Sequence, residues 1–182
     1  MTDSVRASVL FDMLREALER YGDEHDLFML RIPEGRDPDD LPEDLPPGLA
    51  DLLEASDGLP LTGNTRLYGA DSLPYQQVND ILVGATMPDG SKLADASDFF
   101  CFGQAAENPL LVKRSDGSVW RVPDDGVVWY TGCRLERIAD SLNDFAVEWL
   151  ATERFLDLLG PNLVGAADTD WYRLLKLSGL VP

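Results

Sequence analysis

Residues 99–122, FFCFGQAAENPLLVKRSDGSVWRV, read as sheet. Each candidate strand is four or five residues long, too short to fill a helix, and is rich in aromatic and branched side chains. Phe99–Phe102 form one strand closed by Gly103, Leu110–Arg114 a second and Val119–Val122 a third. Ser115-Asp116-Gly117-Ser118 supplies an Asp-Gly turn between the last two, with Gly117 expected at positive φ. Pro123-Asp124-Asp125-Gly126 is a second turn, and VVWYT, 127–131, a fourth strand. Strands that follow one another through short turns pair antiparallel.

The flanking sequence changes period. Val5, Val9, Met13, Ala17 and Tyr21 recur four apart, with Leu10, Leu14 and Leu18 beside them, so residues 4–21 form an amphipathic helix that Ser4 can cap and Gly22 ends. LFMLRI, 27–32, reads as a short strand. PEGRDPDDLPEDLPPG, 33–48, holds too many prolines for a helix or a central strand. A short helix over 47–56 starts at Pro47 and stops at Asp57-Gly58. TRLYGA, 65–70, is a strand, and LPYQQVNDIL after it offers Leu73, Val78 and Ile81 as inward anchors. Leu142, Phe145, Ala146, Trp149 and Leu150 begin a helix that runs through Phe155, Leu158 and Leu159 to Gly160-Pro161, and Trp171, Leu174 and Leu175 mark a last one. Helices, then a meander, then helices give an α+β chain. The expectation is a single domain over 1–182, with a central, twisted, mainly antiparallel sheet flanked by N- and C-terminal helices.

Charge narrows the partners. Thirty-three acids face fifteen Lys and Arg, for a net charge of −18. Such a surface repels phosphate backbones and anionic lipid, so neither nucleic acid nor membrane is an expected partner, whereas a basic protein is steered in. The excess is concentrated. Residues 23–57 hold twelve acids, among them Asp37, Asp39, Asp40, Glu43 and Asp44, against only Arg31 and Arg36. Such a run is either a solvated face or an interaction surface. The N-terminus lacks a signal-peptide core, no run is long enough to span a membrane, and Cys101 and Cys133 form no CxxC pattern. A reduced, cytoplasmic setting is expected, with Cys101 a buried small hydrophobe.

No catalytic constellation is present. His25 is the only histidine and sits among acids past a helix end. Neither phosphate-binding glycine pattern nor the GxSxG elbow occurs. DGSKLADASD, 89–98, lacks the third ligand and the closing glutamate of a calcium loop. No cofactor is expected, and elimination favours a binding protein over an enzyme.

LPEDLPPGLADLLEASDGLPL, 41–61, then RLYGADSL, 66–73, the sheet segment from Phe99 to Pro123, and LNDFAVEWL, 142–150, occur in an order that resembles the SUKH superfamily, the Smi/Knr-like proteins. The resemblance covers about 41–150 and leaves the 4–21 helix and the 161–182 tail as additions. It implies one α+β domain, no catalytic residues and a docking role for the sheet and its loops. It also implies a role, since many bacterial members are immunity proteins that neutralise a cognate toxin, often a nuclease or deaminase. Fungal members are interaction modules, so an intracellular scaffold with a non-toxin partner is the alternative.

The candidate contact residues are therefore the acids Asp37, Asp39, Asp40, Glu43 and Asp44, the hairpin residues Arg114, Asp116 and Trp120, and the aromatics Tyr68 and Tyr75. Lys113, Arg121, Trp129 and Tyr130 stand beside them. Aromatics dominate binding hot spots, though each of these has core packing as its competing role.

Overall fold

The computed structural model describes residues 6–123, 130, 132–160 and 163–182. Its sheet is a six-stranded antiparallel meander in strict chain order: β1 (Leu59–Pro60), β2 (Arg66–Leu67), β3 (Phe99–Ala105), β4 (Asn108–Lys113), β5 (Val119–Arg121) and β6 (Glu136–Ala139). The helices are α1 (Ala7–Tyr21), α2 (Leu49–Ala55), α3 (Asn79–Leu82), α4 (Leu142–Phe145), α5 (Phe155–Leu158) and α6 (Asp170–Leu177). The chain is thus α+β with an antiparallel sheet, as the turn pattern requires.

Both faces of the central strands are buried. Phe100, Phe102, Leu110, Val112 and Val119 point into a core shared with α1, α2, α4, α5 and α6. Phe99, Cys101, Leu111, Trp120 and Val122 point the other way, into a second core closed by Leu82, Ala85, Cys133 and Leu135. The alternation is that of a pleated strand, and it explains why FFCF and LLV carry no polar residue. Leu73 packs in the first core, and it is the segment from Gln77 to Asp98, with Cys133 and Leu135, that covers this second face. Its Gln77 and Asn79 bind the edges of β3 through the carbonyls of Cys101 and Phe99. Full burial of each such Leu or Phe stabilises the fold by about 1.5–3 kcal/mol.

Several expectations change. LFMLRI is not a strand. Leu27, Leu30 and Ile32 enter the core from consecutive turns, and the Ile32 carbonyl accepts from Arg15 rather than from a neighbouring strand. On α1 the buried row is Leu10, Phe11, Leu14 and Ala17, while Val9 and Met13 face outward. After Leu73 the deep anchor is Leu82, not Ile81, which is exposed. The long helix from 142 is interrupted: α4 passes into one wider π turn over Ala146–Leu150 and the chain re-enters helix only at Phe155. Ser4, and most of VVWYT including Trp129, lie outside the described residues; the strand after β5 is Glu136–Ala139.

The β4–β5 hairpin is held by a polar rail. Asp116 accepts from both the amide and the hydroxyl of Ser118, and Ser118 Oγ accepts from the buried Trp120 indole at 2.8 Å. Gly117 has φ +75°, and a Cβ there would lie 3.3 Å from Pro47 Cβ. Gly117→Val is expected to cost at least about 2 kcal/mol, read by thermal or urea unfolding. The Ser118 hydroxyl and amide hold the Asp116 carboxyl below its ordinary 3.8. A carboxylate depressed in the folded state contributes stability above its unfolded value, and that contribution is lost as pH falls through the folded one. Asp116→Asn should therefore flatten the fall of stability below about pH 4, measured by urea midpoints from neutral pH downward.

Candidate protein-binding surface

The acidic segment is irregular yet anchored at each end. Its entrance is fixed by two arginines. Arg15, on α1, donates to the carbonyls of Ile32, Pro33 and Ala55, so one guanidinium joins α1 to the segment and to the last turn of α2. Arg36 donates its amide to Leu53 O at 2.9 Å, and its guanidinium reaches Asp57 at 3.2 Å and Asp71 at 2.9 Å. The hydrogen bonds that Arg36 donates to Asp71 raise the Arg36 pKa further, and in turn hold Asp71 below the usual carboxylate range. Between them Gly35 runs so close to α2 that a Cβ would fall 1.6 Å from Glu54 O.

Asp37 then caps its own turn, accepting from the Asp39 amide at 3.0 Å, and Pro38–Asp40 form a single 3₁₀ turn. The exit is pinned by the hairpin. Arg114 donates to Asp44 O at 3.1 Å while its guanidinium lies 4.7 Å over the Phe100 ring. Gly117 abuts Pro47.

Held this way, the segment presents charge that nothing neutralises. Asp39, Asp40, Glu43 and Asp44 are exposed and, among the described residues, their carboxylates meet no hydrogen-bond donor or cation. Asp51 and Glu54, one turn apart on the outer side of α2, are equally free. Elsewhere several arginines do pair with acids: Arg121 with Glu136, Arg137 with Asp140, Arg154 with Glu148 and Arg173 with Asp170. Like charges crowded together repel, so leaving six unpaired costs stability and favours any basic surface that can share them.

The remaining candidates take different places. Asp116 sits beside the acidic segment but is engaged by Ser118 and lies 3.7 Å from Lys113. Trp120 is a core residue: it is 8% exposed, stacks edge-on against Phe99 and spends its N–H on Ser118, so its packing role prevails over presentation. Tyr68 is half-buried between the two cores, donates to Gln104 at 2.8 Å, and has its hydroxyl pKa pushed up to about 12 by burial. Tyr75 is 85% exposed at the end of a 3₁₀ turn, and Tyr130 is also exposed. Cys101 is 2% exposed and burial pushes its thiol up to about 12, which makes it a packing residue. Both faces of the central strands are covered, which leaves no open sheet face there for docking.

Among the described residues no group of three or more His, Cys, Asp or Glu is placed to hold a metal ion, and no helix is long and apolar enough to cross a membrane. No family model matches the chain, and no curated protein does.

Sequence reasoning overlooked Gly35, Arg36 and Arg15, whose contacts span 17 to 40 residues. Gly35→Ala is expected to cost about 1–3 kcal/mol through backbone displacement. Arg36→Ala should leave the fold intact and speed cleavage at Asp37–Asp44 by an endoprotease that cuts before aspartate. Equal cleavage rates in the variant and the parent would show that the clamp does not hold the segment.

Proposed function

We propose that this chain is a non-enzymatic binding protein of the immunity type, which neutralises a basic bacterial toxin of the nuclease or deaminase class by occupying its substrate cleft. The observation that carries the reading is the fixed acidic surface: four exposed carboxylates at 39–44 without partners, on a backbone clamped at both ends. A nuclease cleft is built to receive evenly spaced negative charge, and a pre-ordered row of carboxylates meets it without an ordering cost on binding. The SUKH resemblance of 41–150 supplies the biological role and belongs to the same proposal. So does a cytoplasmic setting, supported by the two cysteines standing free and buried.

The test has two stages. The tagged chain is used to recover its partner from native cells, and the partner is then purified and its association rate measured. Recovery of one basic toxin-like protein in near-equal amount is the expected result. Reversal of Asp39, Asp40, Glu43 and Asp44 to lysine should slow association by about tenfold or more, and raised salt should do the same to the parent. Unchanged kinetics would remove this surface from the interface. Recovery of a signalling or envelope assembly in place of a toxin would turn the reading to a Smi/Knr-type scaffold.

A further inference from the structure

Beside the acidic segment lies a cleft of about 750 Å³, bounded by the start of α1, the outer side of α2 and the start of α4. This is within the size range of clefts that take small ligands or a few residues of chain. Its floor is apolar, formed by Ala7, Leu52, Ala55 and Leu142, all buried. Its rim is acidic, with Asp51, Glu54 and Asp144 against Arg6 as the one cation in the lining. An apolar floor under an anionic rim matches one side-chain type, a hydrocarbon stem with a cationic head.

We propose that this cleft is a socket for an arginine side chain carried on an exposed segment of the basic protein partner. The inference rests on the functional reading above and places one residue of that partner. Three observations favour it over other occupants. The free carboxylates of Asp51 and Glu54 stand at i and i+3 on α2, side by side at one edge of the cleft, where a planar guanidinium can be shared by both. An anion is disfavoured by the excess of carboxylates in the lining, and one amide at each helix start is already spent: Ala7 N donates to Asn143 Oδ1 and Asp144 N to Ser141 Oγ. Asp144 is itself oriented by Ser141 Oγ at 2.8 Å, which fixes one wall. Gly48, the residue that follows the acidic segment at Pro47, lines the cleft and leaves that wall without a side chain.

The probe is a capped peptide, Gly-Arg-Gly-Arg-Gly, titrated into the ¹⁵N-labelled full chain, beside the same peptide with citrulline in place of arginine. Saturable amide shifts at Asp51, Leu52, Glu54 and Leu142 are expected, with the neutral citrulline peptide weaker by about tenfold. Asp51→Asn with Glu54→Gln should weaken the arginine peptide by about fivefold or more, whereas Asp39→Asn, Asp40→Asn, Glu43→Gln and Asp44→Asn together should change it by less than about twofold. Shifts confined to 37–44, equal binding of the citrulline peptide, or no cleft shifts at millimolar peptide would each overturn the socket. The two readings fail separately. A silent cleft with partner association still slowed by charge reversal at 39–44 removes only the socket. A binding cleft with unaffected association removes only the acidic segment from the interface.

Discussion

Burial of the central strands on both faces is the constraint from which the remaining architecture follows. β3 and β4 offer apolar side chains above and below, so each face needs a cover. Helices α1, α2 and α4–α6 close one side, where Phe102 meets Phe145 edge-on and Phe155 lies against Trp171. The other side is closed by Cys133, Leu135 and the loop-rich stretch from Gln77 to Asp98, which has little regular structure and is fastened by side-chain amides rather than by a ladder. A sheet sealed in this way cannot offer the faces of its central strands to a partner.

The rim is organised by arginine. A chain with fifteen cations and thirty-three acids has few positive groups to spare, and several are used as structural pins. Arg15 satisfies three carbonyls that belong to two distant parts of the chain. Arg36 ties the acidic segment to the turns at Asp57 and Asp71, and Arg114 ties its far end to the hairpin. Arg121 and Arg154 flank Trp149 at 5.0 and 4.7 Å. The planar, multiply donating guanidinium suits this work better than an ammonium. These arginines are drawn into structure while the carboxylates of Asp39, Asp40, Glu43, Asp44, Asp51 and Glu54 meet no cation among the described residues.

The β3–β4 connection shows where local signals fail. It is a two-residue turn at Ala106 and Glu107, both with positive φ, at +49° and +69°. Asn-Gly is the usual pair for that geometry. Here the conformation is imposed from outside: Thr65 Oγ1 accepts from the Ala106 amide and Asn64 O from that of Glu107. Nothing in the sequence of the turn announces it. The Asp-Gly hairpin at 116–117, by contrast, carries its own instruction, because the side chain of Asp116 and the freedom of Gly117 act within four residues.

Local chemistry and period therefore determined the elements and their order: the meander of β3, β4 and β5, the amphipathic α1, the proline-rich acidic stretch that could join neither helix nor sheet, and the α+β class. Tertiary structure decided what no window of sequence contains. It chose the Leu10–Leu14 row of α1 over Val9 and Met13, withdrew Trp120 into the second core, turned 27–32 from a strand into a series of core-filling turns, and set Gly35 against α2. Each of these depends on a partner 17 or more residues away, or on which of two apolar faces finds a cover. Burial and long-range hydrogen bonding settle such choices, and neither is encoded in spacing alone.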